Sequence, residues 1–294
     1  MRQGKREAFL LAMFLAGTLG SCARQPSSTT LSLSLRPGME RTLRFVTEQR
    51  LVGKPRGAAT AGSAGLPFSY SPFSYSISLT YRFRITSVDA GGLAHLESQL
   101  LEASAPEGGT SIDDYIESLK QKRSALTIDR QGRILAIESN EPSPFQINGL
   151  PRAPGTTPQQ TPAQGDLGMF FNGLNGRKVA VGETWTSQLP QSSGSSALRG
   201  TLHWTLASVS GAAARLSYTG KLEDQELQLP GLASGRRARL TGDASGFVEL
   251  ETNTGWPVQG KSVLRVDVST IEVNSGTGET VFSLNIITLF DPAH

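Results

Sequence analysis

The sequence predicts a mainly β fold of antiparallel sheets in two related halves, with a curved open barrel as one arrangement and one or two helices packed on it. Three observations carry this prediction. Apolar and polar residues alternate over long runs, small-residue turns separate the runs, and three short segments recur in the same order. The clearest run is Ile77, Leu79, Tyr81, Phe83 and Ile85, interleaved with Ser78, Thr80, Arg82, Arg84 and Thr86. A period of two places the first set on one face of a strand and the second on the other. Leu202, Trp204 and Leu206 repeat the pattern, as do Leu264, Val266 and Val268, then Phe282, Leu284, Ile286 and Phe290.

The recurring segments suggest an internal duplication. Gly38 to Thr42 matches Gly182 to Thr186, a Gly with a Thr four later. Tyr81 to Val88 matches Leu202 to Val209, each followed by a small-residue turn and another strand. Leu126 to Gly132 (LTIDRQG) matches Leu240 to Gly246 (LTGDASG), with Leu, Thr, Asp and Gly in register. Asp opens a four-residue turn by bonding its own backbone, and Gly closes it by accepting positive φ, so both read as hairpin turns. The same matches arise if one antiparallel sheet simply reuses its turns.

Half 1 spans residues 31–140 and half 2 spans 167–294. Between them, residues 141–166 hold six prolines and read as a linker or long surface loop. Residues 52–76 form a second irregular insert with the tandem repeat Pro67 to Ser71 and Pro72 to Ser76 (PFSYS twice). It reads as a slipped duplication in a tolerant loop, or as an aromatic tip for a partner or membrane surface. A helix is expected over 111–123, capped by Ser111 with Asp114 three later and striped by Ile112, Tyr115, Ile116 and Leu119. Asp166 to Leu174 is a shorter candidate.

The N-terminus has another character. Arg2, Lys5 and Arg6 precede an apolar run from Ala8 to Leu19, and Gly20, Ser21 and Cys22 follow. That is the layout of a secretory signal peptide over residues 1–21, since twelve apolar residues fall short of the about 20 a spanning helix needs. A buried core helix is the competing reading. The only cysteine of the chain stands at the end of this run, where it makes no internal disulfide and has no companion ligands for a metal.

Leu19-Gly20-Ser21-Cys22 resembles the lipobox of bacterial lipoproteins. The resemblance implies that the Cys22 thiol receives a diacylglyceryl group, that the peptide is cut before Cys22, and that the new amine is acylated. Residues 22–30 would then tether the domain to a membrane, with Leu31 onward as a first strand. With Ala23 next to the cysteine, the resemblance implies outer-membrane sorting in a Gram-negative host. An ordinary secretory cut after Ala23 fits Ser21-Cys22-Ala23 as well and would release a soluble protein. Loss of residues 1–21 takes Lys+Arg from 28 to 25 and Asp+Glu from 25 to 24, so no basic block remains to imply nucleic acid.

The mature chain also resembles an uncharacterised family of predicted bacterial lipoproteins rich in β-structure. The residues that carry this are VGETW (Val181 to Trp185), LTGDASG, and GWPVQG (Gly255 to Gly260). The resemblance implies the β fold and no known activity.

No set of acid, base, nucleophile and stabiliser can be assembled, and no cofactor or metal motif occurs. His95 and His203 fall on outward strand faces, and His294 is the last residue. Asp113, Asp114 and Glu117 suit a helix start. Glu223, Asp224 and Glu226 read as a solvated cluster, with a calcium site as the alternative. A hydrophobic ligand, if carried, would meet Trp185, Trp256, Tyr81 and Phe83 in a cavity of the curved sheet. Trp204 reads as core, and Trp256 as a turn residue suited to a rim or partner contact. The expected roles are therefore a lipid-anchored, non-catalytic binding module that meets envelope proteins, or a carrier of a lipid or other hydrophobic ligand.

Overall fold

Alternation in the sequence becomes strand after strand in the computed structural model, which describes residues 28–53, 73–105, 123–138, 170–174, 176–189, 199–227, 236–272 and 278–293. Strand β1 (Ser28–Thr30) comes first, followed by a meander of β2 (Glu40–Gly53), β3 (Phe73–Val88), β4 (Ala94–Ser104), β5 (Arg123–Ile128) and β6 (Ile134–Glu138). After β7 (Lys178–Ala180), a second meander holds β8 (Thr184–Gln188), β9 (Gly200–Ser210), β10 (Ala213–Leu227), β11 (Arg236–Glu251), β12 (Pro257–Glu272) and β13 (Gly278–Pro292).

The two meanders form one sheet of eleven strands in the order β6-β5-β4-β3-β2-β13-β12-β11-β10-β9-β8, antiparallel throughout. Its centre is the pairing of β2 with β13, where Phe45 stands opposite Phe290. The end strands β6 and β8 do not pair, so the sheet is not closed into a barrel. Strands β1 and β7 pair separately.

One face of this sheet is buried from β5 across to β9. Leu43, Phe45 and Leu51 of β2, Ile77, Leu79, Tyr81, Phe83 and Ile85 of β3, Leu202, Trp204 and Leu206 of β9 and Val248 and Leu250 of β11 all point the same way. A slip of one residue in any strand would turn these side chains to water, so the apolar pattern sets the register. Bulges interrupt the pairing of β3 with β4, β9 with β10, β10 with β11 and β11 with β12. Each bulge bends its strand and increases the local twist.

Glycine supplies the remaining curvature. A Cβ on Gly242 would lie 2.0 Å from the Arg265 carbonyl oxygen, and one on Gly246 2.1 Å from that of Lys261. No side chain fits where neighbouring backbones approach so closely. Curling brings the wings of the sheet around shared residues. The β5–β6 turn meets Phe171 at Gly132, while Gly173, two residues on, meets Trp204 of β9.

Topology gives the sheet two unlike poles. At one pole short turns join β3 to β4, β5 to β6, β9 to β10 and β11 to β12. The connections β2–β3, β4–β5, β8–β9, β10–β11 and β12–β13 leave the strands at the opposite pole.

Several expectations need correction. Leu240 to Gly246 is not a hairpin turn; it lies within β11, with Asp243 paired to Lys221 and Arg265. Two glycines that look like turn formers here let a long strand bend. The turn that corresponds to Asp129–Gly132 is Thr252–Gly255. Ala94 opens β4 opposite Ile128, just before the first turn, and Ala213 opens β10 opposite Glu251, just before the second. Gly132 and Gly255 have φ of 77° and 70°. Gly38 and Gly182 do occupy matching places, before β2 and β8, with φ of 83° and 87°.

The first strand is Ser28–Thr30, inside the expected tether, and Leu31 begins an irregular stretch instead. Of the two expected helices, residues 111–122 lie outside the described residues, and Arg123 opens β5. In the second only Phe170 to Leu174 is described, with Phe170 and Phe171 helical before a turn. The PFSYS repeat is described only from Phe73, within β3, and the 141–166 linker lies outside the described residues.

Candidate functional site

The buried face of the sheet is the concave surface on which a binding function would act. Among the described residues, its buried side chains carry no charge. Polar groups are sparse: Thr47, Gln49, Ser98, Ser124, Ser262 and Thr288. Thr47 and Thr288 face each other across the central pairing with hydroxyls 3.3 Å apart, and Ser262 is the next residue along the row. A pair of hydroxyls that satisfy one another can sit in an apolar wall at little cost. Charges lie on the other face. Arg44 pairs with Asp291 at 3.1 Å, Arg215 with Glu249 at 3.0 Å, and Arg265 with Asp267 at 3.4 Å.

The turn pole of the concave face is filled. Leu31 and Leu33 enter from the N-terminal side, and Phe170, Phe171 and Leu174 from the segment before β7. Phe170 lies against Phe290 with ring centroids 4.4 Å apart, and Phe171 meets Trp256 edge-on at 5.5 Å. Phe83 reaches Trp256 at 6.1 Å, while Phe45 stacks on Phe290 at 5.6 Å. Each such ring pair adds about 0.5–1.5 kcal/mol beyond the area it buries.

Backbone bonds pin this plug to the turns. Leu33 N–H donates to the Arg130 carbonyl and Ser34 N–H to that of Thr254, both at 2.8 Å. Leu31 N–H donates to Arg177 O at 3.0 Å, and Gly176 N–H returns to Leu31 O at 2.7 Å. Gly255 is needed here because a Cβ would sit 2.4 Å from the Ser32 carbonyl. Beside the plug a cleft of about 290 Å³ opens on the turn pole, bordered by Ser32, Leu35, Val88, Gly92 and Arg130.

Tyr81 and Phe83 lie on the concave face, as the alternation predicts, with their rings stacked at 6.0 Å. Trp204 is core, its indole N–H donating to Ser187 Oγ at 2.9 Å. Trp185 stands opposite it on the edge strand β8, half-buried, with an indole N–H that meets no acceptor among the described residues.

Trp256 departs from its expected place at a rim. It is 1% exposed and forms the centre of the plug, again with an unpartnered indole N–H. Its turn brings it inward because Glu251 holds the loop. The Glu251 carboxylate accepts from Arg41 Nη2 at 3.0 Å and Thr254 Oγ1 at 2.8 Å, and Thr254 Oγ1 accepts from Trp256 N–H at 3.1 Å.

Tyr81, Phe83 and Trp256 are thus brought together, while Trp185 lies on the far wing. Phe290, named in the sequence only for its alternating strand, joins the first group, as do Phe45, Phe170 and Phe171, which the sequence did not single out; the adjacent pair Phe170-Phe171 was the visible signal. His95 and His203 are exposed on the convex face. Asp224 and Glu226 are engaged by Arg239 and Arg237. No group of three or more His, Cys, Asp or Glu among the described residues is arranged to hold a metal ion. Leu19, Gly20, Ser21 and Cys22, like Asp113, Asp114, Glu117 and His294, lie outside the described residues.

Comparison with known proteins gives similarity without an activity. Residues 163–257, about a third of the chain, match a family of unknown function, DUF6263. No curated protein matches the chain. Among solved structures, DynF from the dynemicin biosynthesis pathway of Micromonospora chersina aligns over 92% of this chain and 86% of its own, at 7% identity and a TM-score of 0.24. That likeness is too slight to carry an argument.

Proposed function

We propose that the protein is a bacterial envelope lipoprotein, held to a membrane through acylated Cys22, and that its sheet is a non-catalytic module for binding other envelope components. The anchor rests on one observation: a twelve-residue apolar run leads into Leu19-Gly20-Ser21-Cys22, and strand β1 begins six residues after that cysteine, at Ser28. Acyl chains bind a bilayer by burying CH₂ groups at about 0.8 kcal/mol each, so the three chains of a lipoprotein hold far more firmly than one. The module half of the reading is supported by a concave face without buried charge among the described residues and by a turn pole filled with the chain's own aromatics. In a Gram-negative host, Ala23 after the cysteine favours the periplasmic side of the outer membrane.

Palmitate labelling tests the anchor. Wild type is expected to incorporate label and to partition into detergent, and Cys22→Ala to do neither; equal labelling of the two would sink the reading.

A second reading is favoured by the remainder of the concave face. Beyond the plug, β10 and β11 present Gly220, Gly242 and Ala244 where other strands carry large side chains, among Leu222, Leu284 and Val266. An uncharged wall of small and aliphatic residues suits a lipid or other hydrophobic cargo. Native mass spectrometry of the acylated protein decides between the two: a stoichiometric non-covalent hydrophobic species selects the carrier, and a clean protein mass selects the interaction module.

A further inference from the structure

We infer that the turn pole of the sheet is apposed to an anionic bilayer surface, so that the opposite pole, from which the long connections leave, faces away from the membrane. This deepens the anchor reading and rests on it.

The tether is too short to reach the far pole. From Cys22 to Ser28 the chain takes six steps, at most about 20 Å fully extended. Ser28 is fixed, paired with Ala180 in the small β1–β7 sheet. From there the chain crosses the turn pole. Leu31 bonds to Arg177, Leu33 to the β5–β6 turn and Ser34 to the β11–β12 turn, and Gly38 N–H donates to Ile85 O at the end of β3. The tether therefore starts on the turn pole. The far pole is out of its reach: strand β10 alone advances about 3.3 Å per residue, about 35 Å from the β9–β10 turn to Glu223.

Charge favours the same pole. The acids of the turn pole are engaged locally: Glu40 lies 3.9 Å from Arg82 and Asp291 3.1 Å from Arg44, and the acids of the turns bond to their own loops. Asp89 Oδ1 accepts from Leu93 N–H at 2.8 Å. Asp129 accepts from the N–H groups of Gln131 and Arg133 at 2.9 Å and from Arg133 Nε at 2.6 Å. Glu183 takes Ala180 N–H at 3.1 Å and Arg177 at 3.0 Å, and Glu251 takes Arg41. Arg36, Arg130 and Lys178 are exposed on the same pole and make no ion pair among the described residues. Arg130 also borders the cleft beside the plug. Cations held near a leaflet of negative surface potential each favour association by about fivefold, and the effect fades within a Debye length. These three are within that range only if the turn pole faces the lipid.

The test uses acylated full-length protein reconstituted into vesicles. Acylation consumes the only native thiol, so one introduced cysteine can carry a fluorophore: A212C in the β9–β10 turn or E223C towards the other end of β10, both exposed positions. Vesicles containing phosphatidylglycerol and headgroup-nitroxide lipid then report proximity by short-range quenching. The A212C label is expected to be quenched severalfold more than the E223C label. The R36Q/R130Q/K178Q variant is expected to stay acylated and to lose the extra quenching that anionic vesicles give over zwitterionic ones. Equal quenching of the two labels, or stronger quenching of E223C, in acylated protein overturns the orientation and leaves the anchor standing. Protein recovered without acyl chains overturns the anchor, and the orientation with it.

Discussion

At the residue scale, glycine has two separate jobs in this chain. Gly182 has φ of 87° and open space around its Cα, so its cost on substitution is conformational only. Gly242 is confined by a neighbouring carbonyl 2.0 Å from where a Cβ would stand, so its cost is steric. Gly182→Ala is expected to destabilise by about 1 kcal/mol through left-handed strain. Gly242→Ala should cost about 1–3 kcal/mol, because a central strand cannot shift without disturbing both neighbours. Urea unfolding checks this: the midpoints should fall in that order with the slope unchanged. A Gly242→Ala midpoint equal to wild type would remove glycine from the account of the curvature. The sequence shows that these residues are glycines. It does not show which job each has, since backbone approach between strands depends on partners distant in the chain.

At the element scale, the strands were legible and the turns only in part. Five matches to a period of two identify β3 with no knowledge of its neighbours, because burial of one face is a local pattern. Asp-x-x-Gly is a local pattern too, yet it marks a turn at Asp129 and the interior of a strand at Asp243. Pairing on both sides, with β10 and β12, overrides the turn preference of LTGDASG. The site shows the same limit. Tyr81 and Phe83 were visible on the alternating face, whereas the inward turn of Trp256 depends on Glu251 and Arg41, 210 residues apart in sequence. Asp129→Ala, which strips two backbone acceptor bonds and the Arg133 pair, is expected to cost about 1–2 kcal/mol. Asp243→Ala, on an exposed strand position, should stay within about 0.5 kcal/mol. Equal costs in thermal unfolding would restore the turn reading of Asp243.

At the scale of the whole molecule, the two halves are not separable domains. They share one sheet through β2 and β13 and one hydrophobic core. Residues 163–257, the stretch that matches the family of unknown function, contain β7 to β11 but stop at the start of β12. Cut out alone, this stretch leaves β11 as a bare edge and Trp256 without Phe83. Expressed by itself it should give no cooperative thermal transition by circular dichroism, and it should aggregate through that edge. A sharp transition would show instead that the second meander folds on its own.

The pairing of β2 with β13 also bears on time. Thr47 and Thr288 are 241 residues apart, so the middle of the sheet joins strands made far apart in time. Contacts so distant in sequence form slowly. Until β13 has left the ribosome, β2 lacks one of its two neighbours and the sheet cannot be completed. If the chain is exported and anchored as proposed, it gains from that delay, because β13 withholds the finished sheet until it has itself been made.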